Sequence, residues 1–123
     1  MKIAVTAQNP GWTESLDTRF GRAAWFVIVD AETKRWEAAE NLQNRQSAQG
    51  AGIQAAAAII DRQAEVLLSG NVGPKAFRVL HSGGVRMYRT DVSKQQTVAD
   101  AVTAWERGEL EEITAATTEG HSI

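Results

Sequence analysis

The stretch VLLSGNVGPKAF, from Val66 to Phe77, decides the fold because it passes from an apolar run through a glycine turn into an amphipathic segment. Val66 to Ser69 predicts a short buried strand. Pro74 suits the first position of a helix, where its missing N–H would have no partner in any case. The turn between them, Gly70 to Gly73, lets the backbone approach a ligand closely. A strand that leads into a helix in this way indicates an α/β protein.

The flanking segments extend this unit into a complete sheet. Downstream, Gly83-Gly84 stops the helix, and a strand at Val85–Arg89 precedes a helix in which Val98, Ala101, Val102 and Trp105 share one face, with Gly108 as its stop. Upstream, the pattern predicts three strands, Lys2–Ala7, Trp25–Asp30 and Arg35–Glu40, and an alanine-rich helix, Ile53–Gln63. The order β-β-β-α-β-α-β-α predicts a five-stranded mixed sheet with a hairpin at one edge and helices on both faces. We therefore predict a ribonuclease H-like three-layer α/β fold, in a single domain over residues 1–123.

Composition favours a small globular protein with one core. The chain has 123 residues, of which 43% are hydrophobic and 23% charged, and its net charge is -2. Its apolar runs are all shorter than the ~18 residues of a membrane span, and Met1 to Ala7 predicts a strand rather than a signal peptide. We therefore expect a cytoplasmic monomer without a membrane partner. The weakly acidic charge also argues against nucleic acid as a partner.

The chain contains no cysteine, which excludes disulfides, thiolate zinc sites and cysteine-held iron-sulfur clusters. Its two histidines, His81 and His121, have no partner at a metal-ligand spacing. The sequence has no G-x-S-x-G or P-loop motif, and Asp30 is the only acid at the end of a core strand, whereas two-metal nucleases need several convergent carboxylates. We therefore predict no direct metal ligand and no catalytic residue. A nuclease that uses Asp30 is an alternative.

Three loops are predicted to meet beyond the carboxyl ends of the parallel strands, where open α/β sheets bind ligands. They are Arg19–Arg22, with two permanently charged guanidinium groups, Gln49–Gly52 and Gly70–Pro74. The last two precede helices, whose first N–H groups lack partners and favour anions. Trp12 and Phe20 would supply an apolar wall. A bulky residue at Gly73 would narrow the approach and, if φ there is positive, strain the turn.

Each of these features also has a purely structural interpretation, because glycines permit tight turns, exposed arginines are solvated and Trp12 could cover the core. Charge is also uneven along the chain. Lys75, Arg78, Arg86 and Arg89 lie between residues 66 and 90 without an acid, whereas Glu106, Glu109, Glu111, Glu112 and Glu119 are opposed only by Arg107. An interaction module that contacts a partner protein through its acidic end or Trp12 is therefore a second hypothesis.

Six short motifs, spread from residue 2 to residue 110, occur in a specific order and spacing. They are Lys2-Ile-Ala-Val5, Arg19-Phe-Gly-Arg-Ala23, Gln49-Gly-Ala-Gly52, Ser69 to Phe77, Val85-Arg-Met-Tyr88 and Gly108-Glu-Leu110. In these motifs the chain resembles the dinitrogenase iron-molybdenum cofactor biosynthesis family, which includes NifX-like domains and the C-terminal domain of NifB. The resemblance implies a ribonuclease H-like fold and the binding of metal-sulfur clusters or cofactor precursors during their assembly.

Two departures from the family pattern concern the way in which a cluster is held. Where many members have histidine before Phe-Gly-Arg and before Gly-Ala-Gly, this chain has Arg19 and Gln49. Imidazole ligation is not possible at these positions, so holding by charge and hydrogen bonds is implied. The chain is also similar to a short, free-standing, cysteine-free form of the family, which carries a molybdenum-copper sulfide cluster non-covalently.

The expected function is therefore non-covalent binding or carriage of an anionic metal-sulfur cluster by a protein that is not an enzyme. A molybdenum-copper sulfide cluster is the expected cargo, and an iron-molybdenum cofactor precursor is the alternative. Proteins of cofactor delivery or cell regulation are the expected macromolecular partners. The residues expected to hold the cluster are Trp12, Arg19, Phe20, Gly21, Arg22, Gln49, Gly50, Ala51, Gly52, Gly70, Asn71, Val72, Gly73 and Pro74.

Overall fold

The computed structural model describes residues 1–41 and 50–116 and shows a sheet between two helical layers. Its strands are β1 (Lys2–Ala7), β2 (Trp25–Asp30), β3 (Trp36–Glu40), β4 (Ala64–Ser69), β5 (Arg86–Arg89) and β6 (Glu111–Glu112). The helices within these ranges are α1 (Ala51–Asp61), α2 (Pro74–Ser82) and α3 (Val98–Glu106). None of these three helices has the length and apolar character that crossing a membrane requires.

The sheet is mixed, as predicted, and its strand order is β3-β2-β1-β4-β5-β6. β1, β4 and β5 run parallel, and β2 and β3 form the antiparallel hairpin at one edge. Because α2 and α3 follow β4 and β5, and α1 follows β3, which runs in the same direction, all three helices begin where the parallel strands end. We call this side of the sheet the carboxyl edge.

The sheet has six strands rather than the five predicted, because Glu111–Glu112 forms β6 against β5. Both glutamates are exposed, and two residues cannot show an apolar alternation, so the sequence pattern does not indicate a strand. The pairing depends on contacts with β5. The Arg86 guanidinium lies 3.2 Å from the Glu112 carboxylate, and the buried Ile113 donates its N–H to the Met87 carbonyl at 2.7 Å.

Helices cover both faces of the sheet, which confirms the predicted three layers. Ile59 of α1 and Leu80 of α2 form one buried cluster with Leu67 of the sheet. On the other face, Val102 of α3 forms a second buried cluster with Val5. Full burial of such a side chain stabilises the fold by roughly 1.5 to 3 kcal/mol, so these two clusters hold the helices against the sheet.

The three helix N-termini at the carboxyl edge differ in how their first N–H groups are satisfied. In α3 the Thr97 hydroxyl accepts the N–H of Asp100 at 3.1 Å, and the Asp100 carboxylate accepts the N–H of Thr97 at 3.3 Å, which is a capping box. α1 and α2 begin after Gly50 and Gly73, which have no side chain, and neither helix has an acid in its first turn. Their partial positive charge is therefore not offset by a carboxylate of their own first turn.

Thr97→Ala should lower the free energy of unfolding by about 1 kcal/mol, because the N–H of Asp100 loses its acceptor. Thr103→Ala is the matched control, since Thr103 is exposed within the same helix and alanine favours helix formation. Urea unfolding followed by circular dichroism measures both variants. A loss of the same size in both would contradict a stabilising role for the cap.

Candidate functional site

A crevice with a volume of about 360 Å³ lies at the carboxyl edge between the N-termini of α1 and α2, and the loop before β2 forms its third side. We call it the loop crevice. Its lining residues are Gly21, Arg22, Gly50, Ala51, Gly52, Gly73, Pro74, Lys75 and Ala76. Liquid water occupies about 30 Å³ per molecule, so the volume corresponds to roughly a dozen waters. A compact group of several heavy atoms therefore fits.

Two glycines bring the loop before β2 against the first turn of α1. A Cβ placed on Gly21 would lie 2.8 Å from the Gly52 Cα and 2.9 Å from the Gly52 N, which is closer than side chains tolerate. Gly50, the residue before α1, has a φ of 79°, in the left-handed region that glycine adopts readily. The close approach to Gly52 requires glycine at position 21, and the left-handed backbone conformation favours glycine at position 50.

The loop crevice is electrostatically positive. Arg22 and Lys75 line it and are exposed, and none of its lining residues is acidic. The N-termini of α1 and α2 add backbone N–H groups and the positive ends of two helix dipoles. The arrangement can hold an anion. Lys75 was not among the predicted site residues, although its place directly after Pro74, at the start of a helix on the ligand-binding edge, was an available signal.

Asn41, which is not among the predicted site residues, holds the loop that carries Arg22. The side chain is 1% exposed and donates from Nδ2 to the carbonyls of Gly21 at 3.1 Å and Ala23 at 2.8 Å. These carbonyls belong to the residues on either side of Arg22, so the amide fixes the backbone on which the guanidinium sits. The only signal in the sequence was an asparagine at the end of a strand, which ordinarily indicates a turn.

Arg19 lies beside a second cavity, of about 820 Å³, which Val92 and Gln96 border near the start of α3. Its side chain is 59% exposed and pairs with the buried Asp17 carboxylate, with Nε 3.2 Å from Oδ1 and Nη2 3.3 Å from Oδ2. Hydrogen bonding to Asp17, followed by its negative charge, raises the pKa of Arg19 above its ordinary value. Arg19 and Arg22 therefore border different cavities, and the charge of Arg19 is already partly balanced.

The turn after β4 supports the loop before β2 through its backbone. Asn71 donates its N–H to the Thr18 carbonyl at 2.7 Å, and Phe20 donates its N–H to the Asn71 carbonyl at 3.1 Å. Phe20 and Val72 are buried in the core beneath α1 and α2, and Gly70 is also buried. These predicted site residues therefore form the frame of the loop crevice rather than its lining.

The family of this chain follows from comparison with known proteins. The family described as dinitrogenase iron-molybdenum cofactor matches residues 1–108. The chain belongs to this family. This confirms the resemblance inferred from the six sequence motifs.

Two solved structures of this type are similar over nearly their whole length. The apo form of the orange protein from Desulfovibrio gigas is 39% identical, with a TM-score of 0.90 over 95% of this chain and 96% of that chain. A Thermotoga protein of the DUF35 family with a suggested NifB assignment is 33% identical, with a TM-score of 0.83 over 97% of this chain and 98% of that chain. An uncharacterised protein of Methanocaldococcus jannaschii is 27% identical over 115 residues, which are 92% of either chain.

Of three other predicted site residues, one lies away from the loop crevice, one lies outside the described residues, and one has a negative φ. Trp12 packs on the opposite face of the sheet with the α3 cluster, and its carbonyl accepts the N–H of Ala99 at 2.9 Å, so it covers the core. Gln49 and His121 lie outside the described residues. Gly73 is extended, with φ -71° and ψ 167°, so the strain considered for a positive φ does not arise.

Asp30, the residue of the nuclease alternative, lies at the edge of the sheet opposite the loop crevice. Its Oδ1 accepts the N–H groups of Glu32 at 2.9 Å and Thr33 at 3.1 Å in the turn between β2 and β3. These hydrogen bonds, that of Thr33 first, lower the pKa of Asp30 below its ordinary value. Within residues 1–41 and 50–116, no three histidine or acidic side chains are grouped to hold a metal ion. Asp30 stabilises the hairpin turn.

Asn41→Asp should destabilise the protein at neutral pH by roughly 2 to 3 kcal/mol, because a buried carboxylate would face two carbonyl oxygens in place of a donor. Burial and these oxygens raise the pKa of an introduced carboxyl, so the loss should shrink at acidic pH as the group becomes protonated. Thermal unfolding at neutral and acidic pH measures the effect. Asn71→Asp is the control, since Asn71 is exposed. Equal unfolding temperatures for the two variants would contradict a stabilising role for the hydrogen bonds from the Asn41 side chain to the Gly21 and Ala23 carbonyls.

Proposed function

We propose that this protein holds an anionic metal-sulfur cluster in the loop crevice without a covalent bond, and that it carries the cluster rather than transforming it. One observation carries the proposal: the N-termini of α1 and α2 converge with Arg22 and Lys75 on a crevice whose lining contains no acid. Membership in the iron-molybdenum cofactor family supports a cofactor-binding or carrier role.

The chemistry of the lining suits a cluster whose surface is made of sulfide. Such sulfides accept hydrogen bonds, and the loop crevice offers backbone N–H groups at two helix starts together with a guanidinium and an ammonium group. Glycine and alanine make up most of the rest of the lining, so a polarisable anion can approach the backbone closely. Because the chain has no cysteine, a protein thiolate bond to the metal is excluded.

The loop before β2 is prepared for binding before any cargo arrives. Asn41 holds the carbonyls on both sides of Arg22, and the Gly21 backbone packs against Gly52. An arginine on a fixed backbone loses less conformational freedom on binding than one on a loose loop, so more of its interaction energy remains as affinity. Lys75 contributes its charge from the first turn of α2, on the other side of the crevice.

The identity of the cargo is proposed from the family resemblance. We propose a molybdenum-copper sulfide cluster, and the similarity to the orange protein, whose structure is that of an apo form, supports a removable group. An iron-molybdenum cofactor precursor is the alternative, which the description of the family supports. That the protein is a single-domain cytoplasmic monomer and is not an enzyme stays a prediction.

Anaerobic reconstitution tests the proposal directly. Tetrathiomolybdate and Cu(I) are added to the purified protein, and the protein peak from gel filtration is analysed for molybdenum, copper and sulfide. We expect all three to elute with the protein in a fixed ratio. Elution of the protein without either metal would contradict the cargo. Retention of an isolated iron-molybdenum precursor instead would select the alternative.

Arg22→Gln and Lys75→Gln should each weaken cluster binding by about one to two decades, because a charge-assisted hydrogen bond contributes roughly 1.5 to 3 kcal/mol. Binding that remains should also depend less on salt, since part of the attraction is between charges. Equilibrium dialysis of the reconstituted cluster at low and high salt measures both effects.

Arg107→Gln is the matched control for these two variants. Arg107 is exposed at the C-terminal end of α3, away from the carboxyl edge. Its replacement by glutamine removes the same charge from the protein. Arg19 is unsuitable because its substitution removes the guanidinium that pairs with the buried Asp17 carboxylate, which costs stability. If all three glutamine variants retain the cluster equally at both salt concentrations, Arg22 and Lys75 do not hold it.

A further inference from the structure

The structure divides the four cations of the acid-free stretch, residues 66–90, into two groups. On β5, Arg86 pairs with Glu112, and Arg89 lies opposite Glu111 across the β5–β6 ladder. On α2, the other two cations, Lys75 and Arg78, are exposed, and no ion pair between described residues includes either of them. The proposed cluster binding gives Lys75 a role, because Lys75 lines the loop crevice, but it gives none to Arg78.

An apolar stripe runs along α1 beside these two cations. Ile53, Ala57 and Ile60 are spaced i, i+4 and i+7, so they lie on one side of the helix. Ile53 is 40% exposed, Ala57 is exposed and Ile60 is partly buried. The only acid in α1 is Asp61, its last residue, and α2 contains none.

The two helices pack closely enough for the apolar stripe and the cations to form one surface. Near their N-termini, a Cβ on Gly52 would lie 3.1 Å from the Ala76 Cβ. Near their C-termini, a Cβ on Gly83 would lie 2.7 Å from the Ile60 Cδ1. We call the outward side of the pair the helix-pair surface and define it by Ile53, Ala57, Ile60, Lys75 and Arg78.

We propose that the helix-pair surface docks an acidic amphipathic helix of a partner protein. Two parallel helices with aliphatic side chains on one and cations on the other form a groove for a third helix whose apolar side chains are flanked by carboxylates. Charge complementarity favours an acidic partner, because α1 and α2 carry two lysine or arginine charges against one aspartate, Asp61 at the last residue of α1.

Other occupants fit the helix-pair surface less well. A nucleic acid is bound by several phosphate contacts, whereas this surface has two permanent cations on a protein with a net charge of -2. A membrane-binding face needs a wide apolar area with large side chains, and here a single isoleucine is well exposed. The acidic strand β6 of a second copy is already opposed by Arg86 and Arg89 of its own β5.

The helix-pair surface begins at the mouth of the loop crevice, because Lys75 belongs to both. A helix docked along α1 and α2 would therefore lie beside the crevice opening and limit access to it. Docking along the helix-pair surface involves the free protein and does not require a bound cluster.

The test is nuclear magnetic resonance of the uniformly ¹⁵N-labelled protein without cargo. The probe is a leucine-glutamate amphipathic peptide of about 18 residues, long enough to form a helix, and the comparison is a leucine-lysine peptide with the same spacing. We expect the glutamate peptide to shift amides of α1 and α2 saturably, with an affinity that falls as salt is added. The lysine peptide should leave these amides unshifted.

Arg78→Glu should weaken glutamate-peptide binding by about tenfold, since reversal of an interfacial charge replaces attraction with repulsion. Arg107→Glu makes the same charge change at the far end of α3 and should leave the affinity unchanged. The proposal is overturned by equal affinities in the two variants, by shifts that map to another face, or by no binding at all. Tighter binding of oligodeoxythymidylate or phosphatidylglycerol vesicles at this surface, or self-association through it, would also overturn it.

Discussion

The contact between Gly21 and Gly52 is the constraint on which the loop crevice depends. The two backbones approach so closely that a Cβ on Gly21 would lie 2.8 Å from the Gly52 Cα, so the loop before β2 rests directly on the first turn of α1. Asn41 holds the same loop from the end of β3 through the carbonyls of Gly21 and Ala23. With the loop fixed, Arg22 stays at the side of the crevice formed by the N-termini of α1 and α2.

The charges at the carboxyl edge are distributed unevenly, and this distribution distinguishes the loop crevice from the rest of the edge. The N-terminus of α3 is closed by Thr97 and Asp100, and Arg19 is balanced by the buried Asp17. The N-termini of α1 and α2 carry neither a capping side chain nor an acid in the first turn. The positive potential is therefore concentrated on one side of the edge, where backbone donors, Arg22 and Lys75 can hold an anion.

Most of the fold could be predicted because hydrophobic periodicity is a local property. β1 and β2 begin and end at the predicted residues, and α2 runs from Pro74 to the residue before Gly83. β6 could not be predicted, since two exposed glutamates have no apolar pattern and are a strand only through their pairing with the separate strand β5. α1 begins two residues before the predicted Ile53, because Gly50 adopts a left-handed conformation and the helix follows it directly.

The sequence by itself determined that no thiolate can bind a metal, that glycine turns precede two helices, and that cations gather between residues 66 and 90. The tertiary structure decided which cation faces which cavity, and where Trp12 and Asn41 lie. Asp17 illustrates the reason: its N–H donates to the Thr6 carbonyl at 3.0 Å, and its carbonyl accepts the Thr6 hydroxyl at 2.6 Å, so a strand eleven residues away buries the carboxylate that pairs with Arg19. Such contacts join residues that are distant in the chain, and a local pattern carries no record of them.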